Sequence, residues 1–407
     1  MIRRLVWVVS PFAAVPPPVT TDRYAYVCSE LARRGASVTQ FVSRFDHHSK
    51  SVRAPTDPPW RCVRVYEPGY SSNLSYGRLA SHAIFDSTLP IALAREAMLR
   101  GAPDAILLAV PHNGAAAAGV LFSRLVGALS IVDVHDTWPE SLLGVRKVKG
   151  IQSAFFSAWK RIADFAYRRA DLVFAESIRY ADRANEVRIP AGLPPAVPIL
   201  LGGDLAYYRG IAPAPCLPEP LRECPFVAAY VGTLGQNYDL DCVVEGFLEY
   251  SRENPGAGLM LLGAGEREQE LRERLRSIPA RSWVSGRIPH ASLVAHLKNA
   301  RVGLNAFRAG GNVAYSYKLN DYLLSGVPVV NSLDGESAEV IERAGLGYRY
   351  QAGDASSLAS ALRACEARWR SEPSWGERVL AFASRTLDRE TIYRPMLGAC
   401  LGSPPRS

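Results

Sequence analysis

The chain has 407 residues, 48% hydrophobic and 21% charged, a balance that suits a folded protein of two domains and excludes a disordered polymer. Its seven cysteines form no C-x-x-C pair and are odd in number, so they signal neither a disulfide framework nor a zinc site and point to a reducing cytosol. The net charge of +8 arises entirely in residues 1–200, where 24 Lys and Arg face 16 Asp and Glu while the remaining 23 and 23 cancel; such a half suits an anionic partner, whether lipid headgroup, phosphorylated acceptor or nucleic acid.

In chain order, "MIRRLVWVVSPF" is too briefly apolar for a signal-peptide core and reads as a first buried strand over 4–10. Strand-like runs follow at 37–42, 104–110, 130–134 and 171–175, with helical period over 21–34, 78–99, 114–127 and 151–169. The apolar region 102–136 is interrupted by Pro111, His112, Asn113 and Arg124, so no segment reaches the length of a spanning helix and the chain is not expected to cross a membrane. Residues 189–225 carry nine prolines, a density that no helix or central strand accepts, and read as an interdomain linker. Beyond it the alternation restarts, with strands at 226–231, 258–262, 282–285, 301–305, 327–331 and 346–350 and helices at 239–252, 266–276 and 317–325. The expected fold is α/β, two doubly wound Rossmann-like domains facing a central cleft: 1–195, 196–380, and a C-terminal helix and tail over 381–407 packing back toward the first domain. Ligands of such sheets bind past the carboxyl ends of the strands.

Several stretches place polar groups there. "YVGTLGQNYDLD" sets Gly232, Thr233 and Gly235 between a strand and a helix start, where backbone approaches an anion closely; a plain tight turn is the alternative. "LLGAGERE" repeats the pattern with Gly263 and Gly265, but Glu266 and Glu268 stand where an anion prefers amides. In "YSYKLNDYLLSGVPVV", a helix starting near Tyr315 presents first-turn amides and the Lys318 cation to phosphate, and Asp321 can accept the two hydroxyls of a ribose; the alternative is an i, i+3 Lys318–Asp321 salt bridge on a solvated face. "SIVDVHDTWPESL" ends a strand with His135, Asp136 and Glu140, where His135 suits hydroxyl binding or acid–base work, or else forms a structural pair with an aspartate. The loop 42–53 gathers His47, His48, Arg44, Lys50 and Arg53 for anion or acceptor contact, with a solvated loop as the alternative. Residues 145–169 mix seven cations with five aromatics, a pattern of helices lying on anionic lipid and equally of a core-facing aromatic stripe. No G-x-S-x-G, P-loop, H-E-x-x-H or D-x-D is present, which gives serine-nucleophile and metal-dependent chemistry little support.

Taken together, "YVGTLGQNYDLDCVVEGF", "LLGAGEREQEL", "GRIPHASLVAHLKNARVGLNAF", "YSYKLNDYLLSGVPVV" and "GESAEVIERAGLGYRYQAGD" resemble, in order and spacing, the nucleotide-sugar half of GT-B retaining glycosyltransferases of family 4. With "SELARRGASVTQFVSRFDHHSK", "VYEPGYSSNLSYGRLASHAIFD" and "DVHDTWPESL", the chain is similar to the O-antigen and capsule subgroup that includes fucosaminyltransferases. The resemblance implies a nucleotide-diphosphate sugar, UDP-linked, held by the second domain, and a glycan or polyprenyl-diphosphate-linked acceptor at the first, with transfer of a hexosyl or N-acetylhexosaminyl group without metal or cofactor. It implies His135 and Lys318 as catalytic residues, with donor contacts from Gly232, Thr233, Gly235, Gly263, Arg287, Ile288, Tyr315, Ser316, Lys318 and Asp321. His47, His48, Asp136 and Glu140 fall on the acceptor side. The implied setting is cytoplasmic, with peripheral contact to an anionic membrane through the basic half and no nucleic-acid partner.

The chain departs from the family pattern at three places. The paired glutamates eight positions apart become Val313 and Asp321; the Gly-Gly loop after the first strand becomes "FAAVPPPVTTDRYAY"; and the cationic pair after "GTLG" becomes Gln236 and Asn237. A nucleotide-sugar 2-epimerase on the same fold and a non-catalytic partner subunit are the alternative readings.

Overall fold

The computed structural model describes residues 4–13, 22–47, 49–54, 58–72, 75–143, 151–277, 281–310, 313 and 315–402, apart from the side chains of 142–143 and 151–153. The chain divides into two compact units, Met1–Leu200 with Ile392–Ser407, and Leu201–Thr391.

In the first unit, β1 (Leu5–Val9), β2 (Ser37–Ser43), β3 (Arg61–Val65), β4 (Ala105–Val110), β5 (Leu129–Val134), β6 (Leu172–Ala175) and β7 (Val197–Pro198) form one sheet in the order β3-β2-β1-β4-β5-β6-β7. Every pairing in it is parallel. "AILLAV" of β4 is buried at all six positions, as a strand covered on both faces requires. The covering helices are α1 (Arg23–Arg33), α2 (Tyr76–Arg100), α3 (Asn113–Val126), α4 (Ile151–Arg169) and α5 (Ile178–Arg188). Right-handed crossovers put α2, α3, α4 and α5 side by side on one face, and α1 on the other with the C-terminal helix Arg394–Cys400. Met396, Leu397 and Cys400 of that last helix enter the core with Val6, Val27, Leu31 and Leu107.

Two strands of this sheet escape the sequence reading. β3, "RCVRV", is an edge strand whose polar positions face water, so it lacks the apolar signature. β7 lies inside the proline-rich stretch, which is therefore not a linker throughout; Pro198 is tolerated because β7 is the opposite edge, where a missing N–H breaks no ladder.

The second unit opens with α6 (Leu205–Gly210), capped by the Asp204 side chain, which accepts from the Tyr207 amide at 3.0 Å. Then β8 (Phe226–Val231), α7 (Leu240–Glu253), β9 (Ala257–Leu262), α8 (Glu268–Arg276), β10 (Arg281–Val284), α9 (His290–Leu297), β11 (Val302–Asn305), α10 (Tyr317–Leu324), β12 (Val329–Asn331), α11 (Glu336–Arg343), β13 (Gly347–Arg349), α12 (Ala355–Ser371) and α13 (Trp375–Thr386) follow. The six strands form a parallel sheet in the order β10-β9-β8-β11-β12-β13. The fold is α/β with two Rossmann-like units, as expected. Among the described residues no helix is long and apolar enough to cross a membrane.

One buried tyrosine sets α10 against this sheet. The Tyr322 hydroxyl accepts from the Val231 amide and donates to the Leu304 carbonyl, both at 2.9 Å, tying the helix to the carboxyl ends of β8 and β11. A Cβ at Gly303 would lie 2.2 Å from the Tyr322 ring, so only glycine lets the helix approach this closely. Lys318, one helical turn earlier, is thereby delivered to the end of β8.

Candidate functional site

The end of β8 is built on backbone contact. Gly232 has φ +121°, and a Cβ there would meet Lys318 Cε at 2.7 Å. A Cβ on Gly263 would fall 1.8 Å from the Gly232 carbonyl oxygen, and one on Gly265 2.3 Å from that of Leu234. These glycines let two strand-to-helix turns nest together. Gly235 is different, since a Cβ there meets nothing closer than 3.5 Å. Thr233 beside it is exposed. Glu266 reaches across to accept from the Gln236 amide at 3.1 Å, so a carboxylate already uses one amide of this turn.

Lys318 is only 8% exposed, and its Nζ donates to the Tyr230 hydroxyl at 2.6 Å. It lies 3.6 Å from the Tyr238 ring centroid, 4.1 Å from that of Tyr230 and 5.1 Å from that of Phe307. Burial pushes the ammonium well below the ordinary lysine value, and Asp321 offsets this only in part. The faces of three rings also favour the charged form. The Lys318–Asp321 salt bridge considered for a solvated helix face is not formed.

Asp321 pairs elsewhere. Its Oδ1 accepts from the Tyr208 hydroxyl at 2.5 Å and lies 2.9 Å from His290 Nε2, while His290 Nδ1 is 3.0 Å from the Tyr207 hydroxyl. With the proton on Nε2, His290 donates to the carboxylate and accepts from Tyr207. Asp321 Oδ2 takes no part in these bonds. Asn320, which the sequence leaves without a role, donates to the Leu201 carbonyl at 3.0 Å and accepts from Tyr315 at 3.2 Å, anchoring the start of α10. Tyr315 and Ser316 are buried there, Ser316 as the extended residue just before the helix. Arg287 is exposed and Ile288 half-buried, after the Gly286 turn that follows β10. Val313 is half-buried.

In the first unit, the carboxyl end of the sheet carries a charge network. Asp133 is fully buried and accepts from Arg23 at 2.8 Å and Tyr24 at 2.9 Å; His135 Nε2 lies 3.0 Å from it, and His135 Nδ1 lies 2.6 Å from Glu176. Burial works against a charge on His135, but Asp133 and Glu176 outweigh it and raise the imidazole to about 9. Asp133 is held down to about 2 despite its burial, by Arg23 and then His135. Asp136 turns back to accept from the Thr137 amide at 2.8 Å and from Trp138 Nε1 at 2.7 Å, and Glu140 accepts from Arg183 at 2.5 Å. His47 bonds through Nδ1 with the Tyr70 hydroxyl. His48, the cations at 146, 147 and 149, and most of the proline loop after β1 lie outside the described residues. Among the described residues, no cluster of three His, Cys, Asp or Glu side chains is placed to hold a metal.

The structure thus gathers Gly232, Thr233, Gly235, Gly263, Tyr315, Ser316, Lys318 and Asp321 past the carboxyl ends of the central strands of the second sheet. Sequence reasoning missed Tyr207, Tyr208 and His290, which hold Asp321, and Tyr230, Tyr238 and Phe307, which cage Lys318. A local signal existed only for His290, which opens a helix directly after a strand and a glycine turn.

No curated protein sequence matches the chain. Residues 225–367 match the family described as Glycosyl transferases group 1. HepE from Anabaena, solved with UDP, superposes with a TM-score of 0.67 at 16% identity, covering 98% of this chain and all of the other. A sucrose-phosphate synthase from Thermosynechococcus elongatus gives 0.66 at 16% identity over 98% and 100% of the two chains. WaaG, a glycosyltransferase involved in lipopolysaccharide biosynthesis, gives 0.62 at 14% identity over 98% and 100%. The family match thus falls within the second unit, and the chain shares the two-unit Rossmann-like fold of these solved GT-B glycosyltransferases.

Proposed function

We propose that the protein is a retaining, metal-independent glycosyltransferase that resembles family 4. It moves a hexosyl or N-acetylhexosaminyl group from a UDP-sugar to a glycan or polyprenyl-diphosphate-linked acceptor, on the cytoplasmic side, in the building of surface polysaccharide. The observation that carries this reading is the placement of Lys318 and Asp321 one turn apart on α10, past the carboxyl ends of β8 and β11, inside the group 1 segment. HepE binds UDP and UDP-glucose in its solved complexes, which supports the donor class.

In this reading Lys318 and the amides at Ser316 and Gly235 take the diphosphate, and Asp321, held by His290 and Tyr208, takes the ribose hydroxyls. Arg287 and Ile288 lie toward the base. Stabilising charge on the departing diphosphate then supplies most of the catalysis, with no dedicated base. His135 faces Asp133 through Nε2 and Glu176 through Nδ1, so both ring nitrogens are engaged and the protonated imidazole does not fit a general base.

The test is a thermal-shift panel of nucleoside diphosphates and their sugars, followed by mass analysis of products with the best stabiliser. A rise in melting temperature with UDP compounds and slow release of UDP support the proposal. No response to any nucleoside diphosphate overturns it, and an epimerised donor reassigns the site to epimerase chemistry.

A further inference from the structure

Asp321 sits on α10 with its two carboxylate oxygens in different surroundings. Oδ1 accepts from the Tyr208 hydroxyl at 2.5 Å and from His290 Nε2 at 2.9 Å. An ionised carboxylate offers about four lone-pair sites, two on each oxygen, so these two donors fill Oδ1. Oδ2 has no hydrogen-bond partner among the described residues. The Asp321 side chain is 17% exposed, while Tyr208, which covers Oδ1, is buried. Oδ2 is therefore the oxygen open to a ligand.

The two donors are themselves fixed from behind. Lys298, just past the end of α9, donates through Nζ to the carbonyls of Tyr208 and Ile211 at 2.6 and 2.5 Å, clamping the end of α6 to α9. A Cβ at Gly203 would fall 2.1 Å from Leu324 Cδ1, so the chain entering α6 packs directly on α10. The Tyr207 ring stacks on His290, with centroids 5.6 Å apart and planes at 23°, and its hydroxyl bonds to His290 Nδ1 at 3.0 Å. Because the donors stay in place, a flip of the carboxylate only exchanges the two oxygens.

This arrangement limits what the carboxylate can read. With both oxygens open, a carboxylate takes the vicinal hydroxyls of a ribose one on each oxygen. Here both would have to converge on Oδ2, and neighbouring hydroxyls lie too close together to meet its two widely divergent lone-pair directions. We infer that Asp321 reads the donor ribose through one hydroxyl alone, and that Tyr208 and His290 set this specificity by occupying the other oxygen. The substrate class then includes nucleoside diphosphate sugars that lack the unread ribose hydroxyl as well as those with both. The inference rests on the donor-site reading above and deepens it. Sequence alone allows Asp321 both hydroxyls; only the folded second unit shows one oxygen committed to protein.

The experiment is calorimetric titration of the full chain with UDP, 2′-deoxy-UDP and 3′-deoxy-UDP. One of the two deoxy compounds is expected to bind within about threefold of UDP, and the other to lose roughly tenfold or more, as a missing hydrogen bond to a charged group does. Asp321→Asn keeps an acceptor oxygen for Tyr208 and His290 and turns a neutral amide to the ligand. In this variant the larger loss should shrink to about threefold. An unchanged melting temperature shows that the variant folds, and the three wild-type titrations decide the matter even if it does not. Losses of roughly tenfold for both deoxy compounds mean a clasp by two oxygens and overturn the inference. Equal binding of all three compounds, or a large loss that persists in Asp321→Asn, also overturns it. Absence of binding by UDP itself is a separate outcome, which removes the donor-site reading and this inference with it.

Discussion

Lys318 and Tyr230 are bonded through Nζ and the phenol oxygen at 2.6 Å, and the same hydroxyl donates a hydrogen bond to the Thr233 carbonyl at 2.8 Å. A single buried cation is therefore joined to the turn that follows β8.

That burial sets the first prediction. The folded state lowers the Lys318 pKa, so the unfolded chain binds more protons, and stability rises with pH from the depressed folded value toward the ordinary lysine value. Lys318→Met removes the buried charge while Tyr230 still donates to Thr233. The variant should melt roughly 2–4 °C above wild type at neutral pH, with the gap closing as pH rises. It should also lose the UDP-induced shift. A variant that melts lower and still responds to UDP would contradict both roles.

His290→Ala withdraws a charge-assisted bond from Asp321 and leaves Tyr208 as its remaining partner. Nucleotide affinity measured by calorimetry should fall about tenfold, as expected for such a bond. If transfer is assayed, the loss should appear in KM more than in kcat, because the ribose contact is common to ground and transition states. A kcat loss with unchanged KM would place His290 in the chemistry instead.

His135 is raised to about 9, so the stability its charge contributes is complete below the unfolded value near 6.5 and is lost as pH climbs through about 9. Comparing melting curves of wild type and His135→Gln across that window should show the wild-type advantage, roughly 3 kcal/mol at its largest, shrinking as pH rises. Glu176→Gln should shift the window downward. Titration of His135 near 6.5 in the wild-type protein would refute the network.

The glycines of the nested turns separate packing from binding. Gly263→Ala drives a methyl into the Gly232 carbonyl and should cost roughly 3 kcal/mol or more. Gly235→Ala meets its neighbours only at ordinary van der Waals distance and should leave the melting temperature unchanged; only its nucleotide response is at stake.

How far these features were legible depends on the distance over which they are made. The two α/β units follow from alternation itself: parallel strands buried on both faces read as unbroken apolar runs, as β4 and β8 do, and only a layered arrangement covers them. The polar cluster on α10 was visible because its members lie within a single turn. The edge strand β3 left no such mark, since half of its surface is in water, and β7 was hidden by the prolines that only an edge accepts.

By itself, then, the sequence determined the fold class, the strand ends where polar groups collect, and the cationic character of the first half. The tertiary structure decided what those groups do. Lys318 meets Tyr230 from 88 positions away, Asp321 meets Tyr208 from 113, and His290 from 31. No periodicity encodes such pairs, because they arise only when sheet order brings separate strand ends together.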